Sequence, residues 1–421
     1  MGWFGLKVKN SGKRAWLGIG IILFIITSLI FGYLYKFSIF VLSVYGIFAL
    51  THIIFQMYFA SKNIKRDFDS DYIPKVSVVI PVYNEKKEDL ERCFRSIKEQ
   101  IYPKNHMEVI IINDGSGNRD EIEELFNFYK KETWKLIHLK KNMGKRIAMY
   151  SGFKRANGDI IVTIDSDTTL DKCAILEIVK PFKNKTIGAV TGNVSVQNWY
   201  KNILTFLTNL RYWLAFNLER SAQSNFNSLA CISGVLGAYR KDIINKVKED
   251  FVNQKFMGER CTFGDDRHLT NLVMKYGYDV VYTPHAKART TAPESFLKWI
   301  KQQIRWSRSF YREFIVGFRV MLNKSIFLTY DLFFQALMPF FLLINMGIFF
   351  YKTFTIGIEY LLLYISLIII MGLIRAFYGI LHTKKLSFLT FIIYSFIYMF
   401  ILLPVKLYAF LTIPENKWGT R

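Results

Sequence analysis

The sequence predicts an α/β domain with a Rossmann-like mixed sheet, joined to an α-helical membrane region. Between residues 75 and 282, short apolar runs of strand length alternate with amphipathic helical segments, which is the pattern of βαβ units. Before and after that stretch lie apolar runs long enough to cross a bilayer. Because Lys and Arg border these runs, we expect the α/β domain to lie on the cytoplasmic side.

The composition narrows the class of protein. The chain has 421 residues, is 51% hydrophobic and carries a formal net charge of +23. A soluble nucleic-acid-binding protein can be this basic, but it would not contain several apolar runs of membrane-spanning length. We therefore expect no nucleic-acid partner, and a multi-pass protein whose basic residues attract anionic membrane lipid and anionic substrates. The four cysteines are scattered without metal spacing, which is typical of reduced cytoplasmic thiols.

Residues 1–61 are predicted to form a transmembrane hairpin. Apolar runs cover residues 15–35 and 37–60, and basic residues flank them on both outer sides. By the positive-inside rule, both ends of the hairpin would lie in the cytoplasm. A signal peptide would instead have a shorter apolar core and a small-residue cleavage site.

Residues 62–292 form the predicted cytoplasmic domain. Four apolar runs are predicted as buried strands, at residues 76–80, 109–112, 136–139 and 159–164. We expect the first strand to end at Pro81, which cannot donate to a sheet. Ligands of such sheets bind at the carboxyl ends of the strands. Four polar residues lie at or just beyond those ends: Asp114, Lys145, Asp165 and Asp167.

Asp165 and Asp167 lie two residues apart at the tip of the fourth predicted strand, so their side chains point to the same side of the pleat. Buried carboxylates need a partner, and such oxygen ligands suit magnesium or manganese held partly by substrate phosphates. The same pair would also be ordinary in a solvated turn. On this motif alone both interpretations stay open.

Two other strand ends carry groups suited to a nucleotide. Tyr83 and Glu85 follow the first strand, where a ring could stack on a base and a carboxylate could meet a ribose or base. Asp114 follows the second strand and could accept a hydrogen bond from a nucleobase N–H. Each stretch is also a common strand-to-helix turn.

Asp265 and Asp266 precede an amphipathic helix. A carboxylate near a helix N-terminus is stabilised as the anion by the helix dipole, so both residues could simply cap the helix. The position would also suit a general base that removes the proton of a hydroxyl group. Such a base needs correct geometry first and a suitable pKa second.

Residues 293–320 are predicted as an amphipathic helix at the membrane interface, and they include Gln302, Arg305 and Trp306. Arg305 could hold a leaving diphosphate by paired hydrogen bonds, and Trp306 could offer an apolar face to a sugar ring. Residues 200–216 have a similar aromatic and amphipathic pattern. The alternative for both segments is an ordinary helix that faces the core.

Residues 321–421 are predicted as a C-terminal transmembrane region. Apolar runs cover residues 325–351, 358–381 and 387–411. The third run contains Pro404, and a proline inside a helix removes a hydrogen bond. We therefore expect a broken or re-entrant element there rather than a simple span.

Five motifs occur in the order typical of processive, membrane-embedded family-two glycosyltransferases, at residues 79–85, 113–116, 165–167, 264–267 and 302–306. Each motif alone is weak, but their order is specific. Within that superfamily the chain most resembles hyaluronan synthases, on residues 211–220, 231–234, 264–271 and 418–421. One departure is Val235, at a position in the loop near the acceptor where hyaluronan synthases usually have proline.

The resemblance implies a multi-pass protein of the plasma membrane, with a GT-A-type domain on its cytoplasmic side. It implies polymerisation of UDP-GlcNAc and UDP-GlcA into hyaluronan, release of UDP, and extrusion of the nascent hyaluronan through the protein's own channel. On the donor side, Tyr83, Glu85 and Asp114 would bind uridine. Lys145 and Asp165 would bind the diphosphate or sugar, and Asp167 would be the ligand of Mn²⁺ or Mg²⁺.

The resemblance also implies roles on the acceptor side. Asp266 would be the general base, Arg305 would steady the UDP leaving group, and Trp306 would form a floor for the acceptor sugar. Trp418 and Arg421 would belong to a gating segment that closes over UDP. Further substrate-binding residues would be Cys231, Ser233, Gly234, Asp265 and Gln302.

Two alternatives to this reading remain. A chitin or chitin-oligosaccharide synthase would use the same chemistry with UDP-GlcNAc only. A membrane channel with a catalytically inactive nucleotide-sugar domain is the other alternative, and the intact motifs argue against it. A cytoplasmic gating segment would also require an even number of spans before it, so residues 387–411 would enter the membrane and return, or lie in the membrane interface.

Overall fold

The computed structural model describes residues 37–62 and 71–416. The predicted first span at residues 15–35 and the predicted gating residues Trp418 and Arg421 lie outside the described residues. Within the described range, an α/β domain is followed by long apolar helices. The predicted fold class is therefore confirmed.

A mixed sheet forms the centre of the α/β domain. Its strands in the described chain are β1 Val76–Val82, β2 Met107–Asn113, β3 Trp134–His138, β4 Ile160–Thr163, β5 Thr169–Leu170, β6 Ile187–Val196, β7 Gly237–Arg240 and β10 Asp279–Thr290, while β8 Lys255–Phe256 and β9 Glu259–Arg260 form a separate hairpin. The spatial order is β3-β2-β1-β4-β7-β6-β10-β5. Strand β7 runs antiparallel to β4 and β6, and β5 runs antiparallel to β10, whereas the other pairings are parallel.

The helices cover both faces of the sheet and then continue into the apolar region. In the described chain they are α1 Phe37–Ser61, α2 Lys87–Lys98, α3 Arg119–Tyr129, α4 Lys145–Arg155, α5 Ala174–Val179, α6 Ile203–Leu214, α7 Ser221–Ser224, α8 Lys241–Val252, α9 Asp265–Lys275, α10 Phe296–Lys324, α11 Ile326–Thr355, α12 Glu359–Thr383, α13 Phe391–Ile397 and α14 Leu403–Leu411. Short 3₁₀ turns occur at Lys104–His106, Lys180–Lys183 and Leu386–Thr390, and π-helical turns at Ala215–Arg220 and Tyr398–Leu402.

The central strands are apolar along their whole length because both of their faces are buried. On one face, Val78 packs in a cluster with Leu90 and Phe94 of α2. On the other face, Val79 packs in a cluster with Phe153 of α4. This two-sided burial fixes the direction of the strands, so the loops that follow β1, β2 and β4 meet at one edge of the sheet.

The first strand is longer than predicted, because it continues through Pro81 to Val82. The pairing of β1 with β4 ends at Val79, so a missing N–H at Pro81 removes no bond from that ladder. The pairing with β2 extends to Val82 and Asn113. The predicted strand at residues 76–80 is therefore two residues too short.

Gly115, in the turn after β2, is held in the left-handed region at a φ of 69°. A Cβ atom there would lie 2.5 Å from the backbone carbon of Lys141. We expect Gly115→Ala to destabilise the protein by about 1–3 kcal/mol, because both the dihedral strain and the backbone contact oppose it. Thermal unfolding in detergent measures the effect.

Gly258 offers a matched control for this prediction. It also has a positive φ, of 89°, but a Cβ atom there would have nothing within 4 Å. Gly258→Ala should therefore cost less than Gly115→Ala, since only the dihedral strain remains. Equal losses from the two variants would show that the contact with Lys141 has no effect.

Both segments predicted as amphipathic helices are helical but extend beyond their predicted ends. Helix α6 continues through the π-helical turn Ala215–Arg220 into α7. Helix α10 runs from Phe296 to Lys324 and buries Trp299 almost completely. Three helical segments in the described chain are long and apolar enough to cross a membrane by length and composition, namely Ile326–Thr355, Glu359–Thr383 and Leu386–Leu411.

The segment Leu386–Leu411 is helical throughout, so the predicted break at Pro404 is wrong. The π-helical turn Tyr398–Leu402 lies just before Pro404, and the missing N–H of Pro404 falls in the first turn of α14.

Both ends of the segment Leu386–Leu411 contact other helices. Near the start of the segment, the ring centroid of Phe388 lies 5.0 Å from that of Trp213 in α6. Near its end, Phe410 lies 5.2 Å from Tyr311 in α10. Both ends of the segment therefore contact helices that adjoin the α/β domain.

Candidate active site

A cavity of about 840 Å³ opens at the edge where β1, β2 and β4 end. The structure brings fourteen predicted site residues together in its walls: Tyr83, Glu85, Asp114, Lys145, Asp165, Asp167, Cys231, Ser233, Gly234, Asp265, Asp266, Gln302, Arg305 and Trp306. Residues from α6, α7, α11 and α13 also line it, so the cavity extends from the sheet edge to the apolar helices. Such an extended cleft suits a substrate longer than a nucleotide.

Lys145, at the start of α4, connects the two groups of carboxylates. Its Nζ atom lies 2.6 Å from Oδ1 of Asp165 and 3.5 Å from Oδ2 of Asp265. Burial lowers the pKa of Lys145, but Asp165 and Asp265 outweigh burial and raise it above its usual value. Lys145 therefore stays positively charged in the middle of the cavity, where it can meet a phosphate or a sugar.

Asp114 fixes the loop that leads to Lys145. Its Oδ1 and Oδ2 atoms accept hydrogen bonds from the backbone amides of Met143 and Gly144, each at 2.8 Å. Gly144 itself has a φ of 92°, which glycine adopts without strain. The sequence motif indicated a nucleobase contact for Asp114, and the structure adds a positioning role that the motif did not indicate.

Asp167 lies in the most anionic part of the cavity. Burial, then the nearby carboxylates of Asp165 and Glu85, raise the pKa of Asp167 to about 7. Thr290 donates a hydrogen bond to Asp167 Oδ2 at 3.0 Å, and Ser166 donates one to Glu85 Oε2 at 2.7 Å. The negative charge around Asp167 therefore opposes its ionisation, and a hard divalent cation would offset that charge. The donor set therefore fits Mg²⁺ or Mn²⁺.

Asp265 and Asp266 occupy the first turn of α9, after Gly264 in the left-handed region. Burial opposes the ionisation of Asp265, but Lys145 and Arg146 hold its pKa below its usual value. Burial and the neighbouring charge of Asp265 raise the pKa of Asp266. The two adjacent carboxylates thus differ in proton affinity, and Asp266 is the better proton acceptor.

A buried network behind α9 was not predicted from the sequence. Glu313 of α10 accepts hydrogen bonds from Gln254 at 2.6 Å and from Asn271 at 3.2 Å, and its Oε2 lies 3.2 Å from Nδ1 of His268. These contacts tie α9 to α10. The Asp266 carboxylate at the start of α9 is thereby held in a fixed position relative to Arg305 and the other α10 residues of the cavity.

Residues 231–235 form a loop that we call the acceptor loop, after the role that the resemblance implies. This loop lies against Lys145 and Asp165. A Cβ atom at Gly234 would lie 3.2 Å from Lys145 Nζ and 3.6 Å from Asp165 Oδ2, so a side chain there would crowd the site. Ile232 donates a backbone hydrogen bond to Thr270 Oγ1 at 2.9 Å, which joins the loop to α9. Val235, the departure from the family pattern, belongs to this loop and also lines the cavity.

Trp306 is 39% exposed, and its ring faces the cavity next to Tyr212, with 6.4 Å between the ring centroids. An exposed aromatic face beside a proton acceptor suits a sugar ring whose hydroxyl group is to be deprotonated. Arg305 and Gln302 line the cavity on the same helix, one turn apart.

The C-terminal segment returns to the site. Arg308 Nη2 donates to Glu415 Oε2 at 2.6 Å, and Arg312 Nη1 donates to Asn416 Oδ1 at 3.3 Å. Asn416 also lines the cavity, and its carbonyl accepts a hydrogen bond from Thr262. Residue 416 thus lies at the cavity, immediately before the predicted gating segment.

Comparisons with a protein-family model and with known sequences both identify glycosyltransferases. The profile of the family "Glycosyl transferase family 2" matches residues 77–248. Hyaluronan synthase 2 of Homo sapiens is 32% identical over 96% of this chain and 81% of its own length. Hyaluronan synthase 1 of Xenopus tropicalis is 33% identical, over 91% of this chain and 73% of its own. An N-acetylglucosaminyltransferase of Azorhizobium caulinodans is 34% identical, over 83% of this chain and 87% of its own.

A mannosyltransferase of Pyrobaculum calidifontis, solved with GDP-Man and Mn²⁺, superposes with a TM-score of 0.62. It is 18% identical, and the match covers 86% of this chain and 98% of that one. At this identity the likeness shows the fold alone, which is the GT-A arrangement. Together with the relatives that match nearly the whole length of the chain, the fold and the motifs establish that this glycosyltransferase belongs to the hyaluronan synthase family.

Proposed function

We propose that the protein is a processive, inverting glycosyltransferase that alternates UDP-GlcNAc and UDP-GlcA to build hyaluronan. The observation that carries this proposal is the arrangement of the cavity. Lys145 lies between the Asp165 and Asp167 pair and the Asp265 and Asp266 pair, so one site for a diphosphate and one proton acceptor share a single cavity. The names of the relatives supply the choice of hyaluronan.

The chemistry follows from these residues. Asp266 accepts the proton of the acceptor hydroxyl as that oxygen forms a bond with the anomeric carbon of the donor sugar. The bond from the anomeric carbon to the diphosphate breaks in the same displacement, and UDP departs with the electron pair. One displacement inverts the anomeric centre and needs one base, which fits a single committed carboxylate.

The remaining residues of the cavity stabilise the departing group. Arg305 and Lys145 place positive charge against the diphosphate. Asp167, with Asp165 beside it, would hold Mn²⁺ or Mg²⁺, whose charge offsets the charge that develops on the diphosphate. Tyr83 and Glu85 would then hold the uridine at the end of β1.

The apolar helices give the growing polymer a route away from the site. The cavity reaches Gln335 of α11 and Tyr394 in the segment Leu386–Leu411, and both of these helical segments are long enough to cross a membrane. We propose that hyaluronan leaves through a channel between them, with the α/β domain in the cytoplasm and the protein in the plasma membrane.

A second candidate function is the synthesis of chitin oligosaccharides from UDP-GlcNAc alone. The 34% identity to the N-acetylglucosaminyltransferase of Azorhizobium caulinodans favours it. The two functions share every catalytic step and differ only in whether a second donor is required.

A donor-omission assay separates the two functions. The purified enzyme is incubated with manganese or magnesium and with UDP-GlcNAc, UDP-GlcA or both. We expect polymer only when both donors are present, because alternation stops at the first missing sugar. Polymer or oligomer from UDP-GlcNAc alone would establish the second function instead.

The pH dependence of transfer should report the ionisation of Asp266. Its pKa is raised, so kcat/KM should fall as the pH decreases through that raised value, by about tenfold per pH unit below it. Asp265→Asn removes the like charge and should move this acidic limb to lower pH. A limb that stays in place or moves to higher pH would contradict the coupling of the two carboxylates.

A further inference from the structure

The π-helical turn Ala215–Arg220 lies in the wall of the cavity but belongs to neither the donor site nor the base. A π-helical turn within an α-helical segment is rare and often marks a functional site. Its last residue, Arg220, lines the same cavity as Gln335 of α11. A cation in this place needs an explanation, because burial of an arginine without a partner is costly.

Arg220 makes no direct contact with a carboxylate in the described part of the chain, and the charge of Glu219 acts on it only from beyond hydrogen-bond distance. Its Nε and Nη1 atoms donate only to the carbonyl oxygens of Cys231 and Ala215, both at 3.4 Å, and its guanidinium lies 4.1 Å from the ring of Phe216. The neighbouring Arg211 instead pairs with Glu219 at 2.9 Å. Within the described part of the chain, no carboxylate lies within 4.0 Å of Arg220.

Arg220 also lies at the end of a row of aromatic rings that begins at the proposed acceptor floor. The ring centroid of Trp306 lies 6.4 Å from that of Tyr212, and the centroid of Tyr212 lies 6.4 Å from that of Phe216. The guanidinium of Arg220 lies over the ring of Phe216. Trp306 and Tyr212 line the cavity and suit the faces of successive sugars, whereas Phe216 is buried and packs against Arg220. The hydrogen bond to the carbonyl of Cys231 places the guanidinium against the acceptor loop.

The acceptor loop in turn is connected to the base. Ile232 donates to Thr270 Oγ1 at 2.9 Å, and Thr270 donates to the backbone carbonyl of Asp266 at 2.7 Å. Arg220 is therefore linked to the backbone of Asp266 through the adjacent residues Cys231 and Ile232 and through Thr270. A sugar whose hydroxyl group meets Asp266 would present its other substituents to the wall that contains Arg220.

We propose that Arg220 binds the carboxylate of the uronate unit that ends the growing chain, and so determines which acceptor end receives GlcNAc. A guanidinium binds a carboxylate through paired hydrogen bonds, and the ligand would supply the negative charge that Arg220 lacks. This proposal rests on the proposed function, since only an alternating polymer presents a uronate end in every second step.

The test compares two transfers in one enzyme. Arg220→Gln is given both donors in limiting amounts, and the terminal sugar of each oligosaccharide is identified by mass spectrometry. We expect addition of GlcNAc to uronate ends to slow by about 10- to 100-fold, because a charge-assisted contact is lost. Chains that end in uronate should then accumulate. Addition of GlcA to GlcNAc ends and the hydrolysis of UDP-GlcNAc alone should not change.

Two further variants complete the design. Arg220→Lys keeps the charge but loses the paired geometry, so it should show a smaller loss in the same selective sense, and it carries the test if Arg220→Gln does not fold. Arg95→Gln is the matched control, because Arg95 is exposed and pairs with Glu91 on α2.

Equal slowing of both transfers, in either Arg220 variant, would overturn the proposal and leave Arg220 as a structural support of the Cys231 loop. A failure of the proposed function would look different. Wild-type enzyme would then form product from UDP-GlcNAc alone, whatever the behaviour of the Arg220 variants.

Discussion

Asp266→Asn is expected to reduce sugar transfer by about 10²- to 10⁴-fold, which is the usual contribution of a positioned general base. Asparagine has nearly the same shape as aspartate but cannot accept the proton of the acceptor hydroxyl. The hydrogen bond from the Arg267 amide to Asp266 Oδ1, at 2.8 Å, can be kept by the amide oxygen, so the start of α9 should stay intact. Turnover is followed by UDP release.

UDP affinity should not change in Asp266→Asn, because Asp266 is proposed to act on the acceptor and not on the nucleotide. Asp250→Asn is the matched control, since Asp250 is 54% exposed and pairs only weakly with Lys275 at 3.8 Å. Near-normal turnover in Asp266→Asn would show that another group removes the proton. Loss of UDP binding together with turnover would show that Asp266 belongs to the donor site.

Asp167→Asn should lower the transfer activity and raise the thermal stability of the metal-free protein. Transfer should fall by at least about 100-fold, because the neutral amide is a poor ligand for the ion that offsets charge on the diphosphate. Without added metal, however, the variant should unfold at a higher temperature than the wild type near neutral pH. Activity and thermal unfolding, each with and without Mn²⁺, measure the two effects.

The sign of the stability effect follows from the pKa of Asp167. The folded protein raises this pKa to about 7 from an ordinary value of 3.8, so the folded state favours the protonated form. As the pH rises from about 4 to 7, ionisation in the unfolded chain lowers the stability of the folded protein. Asparagine removes this cost. The gain should be largest near neutral pH and should vanish in acid.

Asp171→Asn is the control for Asp167→Asn, because Asp171 lies four residues away, is 44% exposed and pairs with Arg289 at 3.4 Å. It should change neither activity nor metal dependence. A stability of metal-free Asp167→Asn below that of the wild type near neutral pH would contradict the crowding of carboxylates in the cavity.

The sheet could be predicted from the sequence because strands buried on both faces must be apolar at every position. The runs around Val79, Ile111 and Val162 have this property, and each forms a strand. Parallel neighbours share a carboxyl edge, so polar residues that directly follow these runs were expected to meet. They do meet in one cavity, although their individual roles remain predictions.

Contacts between distant segments could not be predicted in this way. Asp114 was expected to face a nucleobase, but its bonds to Met143 and Gly144 depend on how β2 and the start of α4 approach each other. Glu313 lies 45 residues from His268, and nothing in the local pattern pairs them. The sequence did contain a weak signal of this buried network, because His268 and Asn271 are polar residues on the buried side of a helix.

Pro404 shows a limit of a different kind. A local rule predicts that proline breaks a helix, because it lacks the N–H and clashes with the preceding turn. The π-helical turn Tyr398–Leu402 accommodates that defect, and the helix continues. Whether a helix breaks at a proline depends on the turn before it, which a residue pattern alone does not determine.

The most direct test of the account is the composition of the polymer made by the wild-type enzyme from doubly labelled donors. Glucuronate and N-acetylglucosamine carry different isotopes, and their incorporation is measured in the purified product throughout chain growth. Alternating transfer at the single base Asp266 predicts equal molar incorporation, to within one sugar per chain, throughout chain growth. Incorporation of N-acetylglucosamine without glucuronate would contradict the account.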